Sequence, residues 1–132
     1  MDIPRGITAP PGEWETFSED ELVRGCSHFP NECAEFVHGL TETGAVGGKF
    51  GIHLERDPMN VVDPYAVKAI GFWTDANGTV HHRQIGFLAK GLVWRMHNEL
   101  NTDDPIATEM LTLETHPDYL LNIKVDVLNQ DA

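Results

Sequence analysis

Two thiols and two imidazoles fall within thirteen residues, at Cys26, His28, Cys33 and His38, and together they make the donor set of a tetrahedral zinc site. Structural zinc sites usually draw their cysteines from pairs two to four residues apart, whereas Cys26 and Cys33 are further apart and Pro30 intervenes. Two free thiols are the better reading, and no metal is expected. His81 and His82 are adjacent in a stretch that reads as strand, so they point to opposite faces and cannot hold one ion together. Nothing in the spacing sets a thiol beside a histidine as nucleophile and base. Gly44, Gly47 and Gly48 flank a turn instead of a strand-to-helix junction, so no phosphate loop is formed. Asp103-Asp104 stand before Pro105 in a polar break and read as solvated loop carboxylates. No catalytic residues and no cofactor are expected.

The most specific text lies between Leu54 and Lys68. Asn60 and Asp63 carry short polar side chains that hydrogen-bond nearby backbone and shape a loop between two strands. Loop scaffolding is the use expected of Asn60, while Asp63 suits both scaffolding and ligand contact. Ala66 is small enough for the following strand to pack closely, and Gly86 suggests a bulge or a close backbone approach.

The elements that must position this loop follow from periodicity. Pro4, Pro10, Pro11 and Gly12 predict an extended arm, pinned to the body by Trp14 and Phe17. Ser18 and Glu21 fit a capping box, which predicts a short helix from about Glu19 to Arg24, stopped by Gly25. Strands are expected from Ala34 onward. Phe50 to Glu55 alternates as a half-buried strand, Ala66 to Trp73 reads as a strand covered on both faces, and Thr79 to Leu88 runs back antiparallel after a turn at Asn77-Gly78. Leu92, Val93, Met96 and Leu100 form one stripe of a helix spanning Lys90 to Leu100, with Trp94 opposite, placed either to cover the N-terminal arm, the preferred reading, or to form a partner surface. Leu121, Ile123, Val125 and Val127 alternate with polar residues in the clearest one-face-buried strand. The fold class is therefore mainly β (α+β), as a small barrel or sandwich with one or two short helices. The expected organisation is an acidic arm over 1–33 and a β domain over 34–128.

Charge is distributed unevenly within the formal net of −12. Seven carboxylates lie in 1–33 against Arg5 and Arg24, and seven lie in 100–132 against Lys124 alone, while the middle is nearly neutral. A basic footprint for phosphate is thus missing overall, but the acidity belongs to the flanks. No stretch approaches the roughly 20 apolar residues of a membrane-spanning helix, so no membrane association is expected. The proline-rich start lacks the apolar run of a secretory signal, and two cysteines suit a reducing compartment, so a cytoplasmic (intracellular) location is expected.

The Leu54–Lys68 segment resembles the HIRAN family pattern. Its parts are a strand, the acid–proline pair Asp57-Pro58, Asn60, an aspartate three places on at Asp63, and Ala66 opening a second strand. Ile85-Gly86-Phe87-Leu88-Ala89-Lys90, followed by Leu92 to Leu100, fits the family's glycine-containing strand and helix. The likeness covers about 36–100. It implies an OB-like, HIRAN-type β-barrel of the kind attached to DNA-remodelling ATPases and nucleases. It also implies a non-catalytic module that binds nucleic acid, with the 3′ end of single-stranded DNA as the ligand in the best understood kind, or that serves a DNA-processing protein. Asp63 would then hydrogen-bond the terminal 3′-hydroxyl, Lys90 would face phosphate, and Tyr65 or Trp73 would supply the stacking ring, with Asn60 shaping the loop. Two positions depart from the family: Val62 stands where an aromatic precedes the aspartate, and Thr41-Glu42-Thr43 falls at the first-strand basic-aromatic cluster. The alternative is a protein-interaction module on the same fold, whose acidic flanks bind a basic partner or mimic DNA.

Overall fold

The alternation of Phe50 to Glu55 becomes a strand in the computed structural model, which describes residues 6–7, 12–46, 49–101, 104–116 and 119–130. The chain runs β1 (Gly6–Ile7), β2 (Glu15–Leu22), a 3-10 turn (Cys26–His28), α1 (Pro30–Val46), β3 (Phe50–Arg56), β4 (Val67–Thr74), β5 (Val80–Phe87), α2 (Lys90–Glu99), β6 (Ile106–His116) and β7 (Tyr119–Asn129). The protein is mainly β, as expected, with two sheets and two α-helices among the described residues. The sheets are antiparallel, in the orders β1-β6-β7-β2 and β3-β4-β5. Among the described residues their ladders do not join into a closed barrel. They meet at two seams: Arg24 and Phe87 exchange backbone hydrogen bonds of 2.7 and 2.8 Å, and buried Thr108 Oγ1 donates to the Ile52 carbonyl at 2.6 Å.

Two expectations are corrected and one element was not foreseen. The segment expected to be helical from Glu19 to Arg24 belongs to β2 and its continuation. Ser18 Oγ does donate to Glu21 Oε1 at 2.8 Å, but across a strand bent by two register shifts, with Asp20 at φ 55°. Pairing with β7 outweighs the local capping preference: the Asp20 amide donates to Asp126 Oδ1 and the Val23 amide to the Ile123 carbonyl. The strands expected from Ala34 are instead a 17-residue helix that spans the expected 33/34 boundary. Pro30 occupies its first position, where no amide is needed, and Cys33, Phe36, Val37 and Leu40 make its inward stripe. Finally, β6 has no counterpart among the sequence expectations.

Helix α1 lies close on β4 because two glycines leave room for rings. A methyl at Gly71 would come within 2.7 Å of the Phe36 ring, and one at Gly39 would overlap the Trp73 indole. The core under the helix is built on Phe36, Ile52, Ile85, Met110, Leu113, Ile123, Val125 and Val127. Gly86, read as a bulge or close approach, is both: the β4–β5 ladder shifts register beside it, and an added methyl would fall on the Arg24 carbonyl oxygen at the first seam.

The two sheets differ in charge. The four-stranded sheet carries Glu15, Glu19, Asp20, Glu21, Glu109, Glu114 and Asp126 against Lys124, whereas the three-stranded sheet carries Arg56, Lys68 and Arg83 against Glu55. No helix among the described residues is long and apolar enough to cross a membrane.

Candidate functional site

The loop between β3 and β4 is tied down by its own polar groups. Asn60 Oδ1 accepts from the amides of Val62 and Asp63, both at 3.0 Å, and its Nδ2 donates to Asp57 Oδ2 at 3.2 Å. Asp63 Oδ1 accepts from the Tyr65 amide at 2.9 Å, and the Asp63 carbonyl accepts from Ala66. The Asp57 amide closes the loop on the Ala66 carbonyl. Asn60 is therefore spent on scaffolding. Asp63 keeps its second carboxylate oxygen without a partner among the described residues.

This stiff loop stands beside the start of α2 and the two enclose a cleft. One recess of about 480 Å³ is lined by Val62, Asp63, Tyr65, Lys90 and Trp94, among others. An adjoining one of about 360 Å³ holds Asn60, Asp63, Phe87 and Lys90. A third, of about 400 Å³, lies on the far side of Tyr65 against Arg56, Pro58, Met96 and His97. The four residues singled out by the sequence thus line two neighbouring recesses that share Val62, Asp63, Lys90 and Val93. Lys90 is exposed at the first position of α2 and has no ion partner among the described residues. The helix start has no side-chain cap, and Gly91 in its first turn also lines the recess.

The ring beside Asp63 is larger than the sequence suggested. Tyr65 stacks on His97 with centroids 3.8 Å apart, and Trp94 lies 5.5 Å from Tyr65 and 6.0 Å from His97. Among the described residues the ring neighbours of Trp94 are these two and not the N-terminal segment, and the indole stays 55% exposed. Phe17 is instead covered by the Arg95 guanidinium. Trp94 was legible as a ring off the apolar stripe that could form a partner surface and His97 only as an off-stripe position; knowing which face met the loop required the fold. Trp73, the other ring considered for stacking, is buried beneath Arg83 and against Phe36 and His81. Next to the shelf, Met59, Val61 and Val62 project from the loop almost fully exposed, Val61 at 99%. Thr41-Glu42-Thr43 lies in α1 and not on a first strand.

The other chemical candidates are placed elsewhere. Cys26 and Cys33 are free and buried, their thiols directed at the carbonyls of Val23, Cys26 and Ile85. The neighbouring Cys26 sulfur, followed by burial, pushes the Cys33 thiol far above the ordinary range, which keeps it protonated. His28 and His38 are exposed, and no group of three metal-ligating side chains is found among the described residues. His81 and His82 do face opposite ways. His81 bonds Asp75 at 2.8 Å over Trp73, and His82 points to the outer face beside Phe72. That His81 contact, with two backbone amides, holds the Asp75 carboxyl below its usual range. Asp104, expected to be solvated, is 4% exposed; its carboxylate accepts from the Asn101 amide and its carbonyl from Arg56. Asp103 lies outside the described residues.

Comparison with known proteins found no family model, no curated protein and no solved structure that matches this chain.

Proposed function

We infer that the chain is a non-catalytic, HIRAN-like intracellular module that holds the 3′ end of a single-stranded nucleic acid, alone or within a DNA-processing assembly. The observation that carries this reading is the convergence of Asp63, Lys90 and Tyr65 on one cleft with the Trp94–His97 rings. The roles follow from chemistry. The open oxygen of Asp63 accepts a hydrogen bond from the terminal hydroxyl, and a 3′-phosphate in its place would meet a like charge. Lys90 and the uncapped start of α2 attract the preceding phosphate. The terminal base lies on the Tyr65–His97–Trp94 shelf, which stands in for the aromatic that Val62 replaces. On this reading the two sheets, with seams at Arg24–Phe87 and Ile52–Thr108, are the halves of an OB-like barrel.

Fluorescence anisotropy with 3′-hydroxyl and 3′-phosphate oligonucleotides at low salt tests it. The hydroxyl end should bind about ten-fold or more tightly, and Asp63→Ala should abolish the difference, since a hydrogen bond to a charged group contributes about 1.5–3 kcal/mol. Equal, negligible signals for both ends would sink the proposal. One observation favours a second reading, a protein-interaction module that takes a basic partner or mimics DNA. The apolar tip at Met59, Val61 and Val62 would dock in that partner, with the seven carboxylates of the four-stranded sheet as its charged counterpart.

A further inference from the structure

The outer face of the three-stranded sheet carries a second cluster of rings. Along β4, Val67, Ala69 and Trp73 turn into the core, which leaves Lys68, Ile70 and Phe72 on the outer side. His53 of β3 lies flat on Phe72, with centroids 4.2 Å apart and planes 17° from parallel. His82, the cross-strand partner of Phe72 on β5, stands 5.8 Å from His53. Both imidazoles are exposed. Partial desolvation of the ring packed on Phe72, and then the neighbouring His82, hold His53 below the ordinary histidine range, so at neutral pH it presents a ring face and no charge.

This face leads into the cleft. Lys68 is paired across the ladder with Phe87, and Phe87 lines the recess that contains Asp63 and Lys90. From Lys68 to Phe72 is about 13 Å of strand, a span suited to a few nucleotides. We propose that the outer face of β3–β5 is a second contact surface for the same single strand, on which nucleotides upstream of the 3′ end stack against His53, Phe72 and His82. The inference rests on the reading of the cleft given above. Charge leaves this route open: the outer face carries Lys68 opposite Glu55, while Arg83 is paired to Glu35 of α1 on the core side and Arg56 bonds the Asp104 and Asn101 carbonyls, whereas the other sheet bears seven carboxylates against one lysine. A polyanion leaving the cleft meets balanced charge on the outer face of the first sheet and is repelled by the second.

A length series tests this, using 3′-hydroxyl oligothymidines from about two to about ten nucleotides at low salt. Wild-type affinity should rise about ten-fold or more between the shortest and the longer strands. The His53→Ala/His82→Ala double variant should lose that rise while keeping wild-type dinucleotide affinity and an unchanged circular dichroism spectrum. Phe72→Leu, which keeps an apolar side chain under the imidazoles, should lose part of it. A wild-type affinity independent of length, or a rise that persists in the double variant, would overturn the second contact. Longer strands that bind through the rings while dinucleotides do not, with Asp63→Ala silent, would overturn the cleft reading alone.

Discussion

Phe36→Ala should lower the unfolding free energy by about 3–5 kcal/mol, the cost of emptying a fully buried aromatic site. The ring is wholly buried, sits 6.2 Å from Trp73 and fills the space that Gly71 leaves open. Because domains of this size are stable by only about 5–15 kcal/mol, the variant should be marginal, with a sharply reduced urea midpoint. Thr41→Ala, on the exposed side of the same helix, should change stability by about 0.5 kcal/mol or less. The contrast tests whether 34–46 is a helix with one buried stripe. A solvated strand or loop would show no large cost at Phe36. For the same reason, removing residues 1–33 cannot serve as a clean test of the acidic segment. It would strip β2 from β7 and take Val23, Cys26 and Cys33 out of the core.

Trp94→Ala should have the opposite profile, leaving the fold intact while weakening strand binding by about 1–3 kcal/mol, the usual effect of a lost stacking ring. The indole is 55% exposed and contributes nothing to the core cluster, so its thermal midpoint should stay close to wild type. Tyr65→Ala should weaken binding by a similar amount and also free His97, which it holds at 3.8 Å. The double variant should lose less than the sum of the two, because the rings touch and support one another. Anisotropy titrations beside thermal melts read both quantities. Unchanged binding in the double variant would remove the shelf from the site.

Much of the fold was legible where one physical pattern ran without interruption. Residues 50–55 and 121–127 alternate in sequence as strands do, the apolar run 66–73 forms β4 although only one of its faces is fully covered, Asn77-Gly78 makes the hairpin with Gly78 at φ 83°, and α2 carries a plain apolar stripe. The misses share a cause, which is that tertiary contacts override a local signal. The Ser18–Glu21 pair forms its bond but is held in a strand by β7. In α1, Gly39, Thr41, Thr43 and Gly44 are poor helix formers, and Gly39 is where the helix must clear Trp73. In β6 the register shifts beyond Met110, and adjacent Ala107 and Thr108 are both buried, the latter to bond Ile52, so alternation is lost. At the cleft, Asp63, Tyr65, Lys90 and Asn60 were readable as types at a spacing. Trp94 and His97 join them only because α2 docks against the 57–66 loop, which no local pattern encodes.

On the proposed function the Asp63–Lys90 cleft, and not the acidic sheet, receives nucleic acid. The most direct measurement is a nitrogen-15 NMR titration of the full chain with a 3′-hydroxyl single strand at low salt. The amides of Asp63, Tyr65, Lys90, Gly91 and Trp94 should shift first and farthest, while those of β6 and β7 stay in place. Shifts centred on β6 and β7, or none at saturating strand, would contradict it.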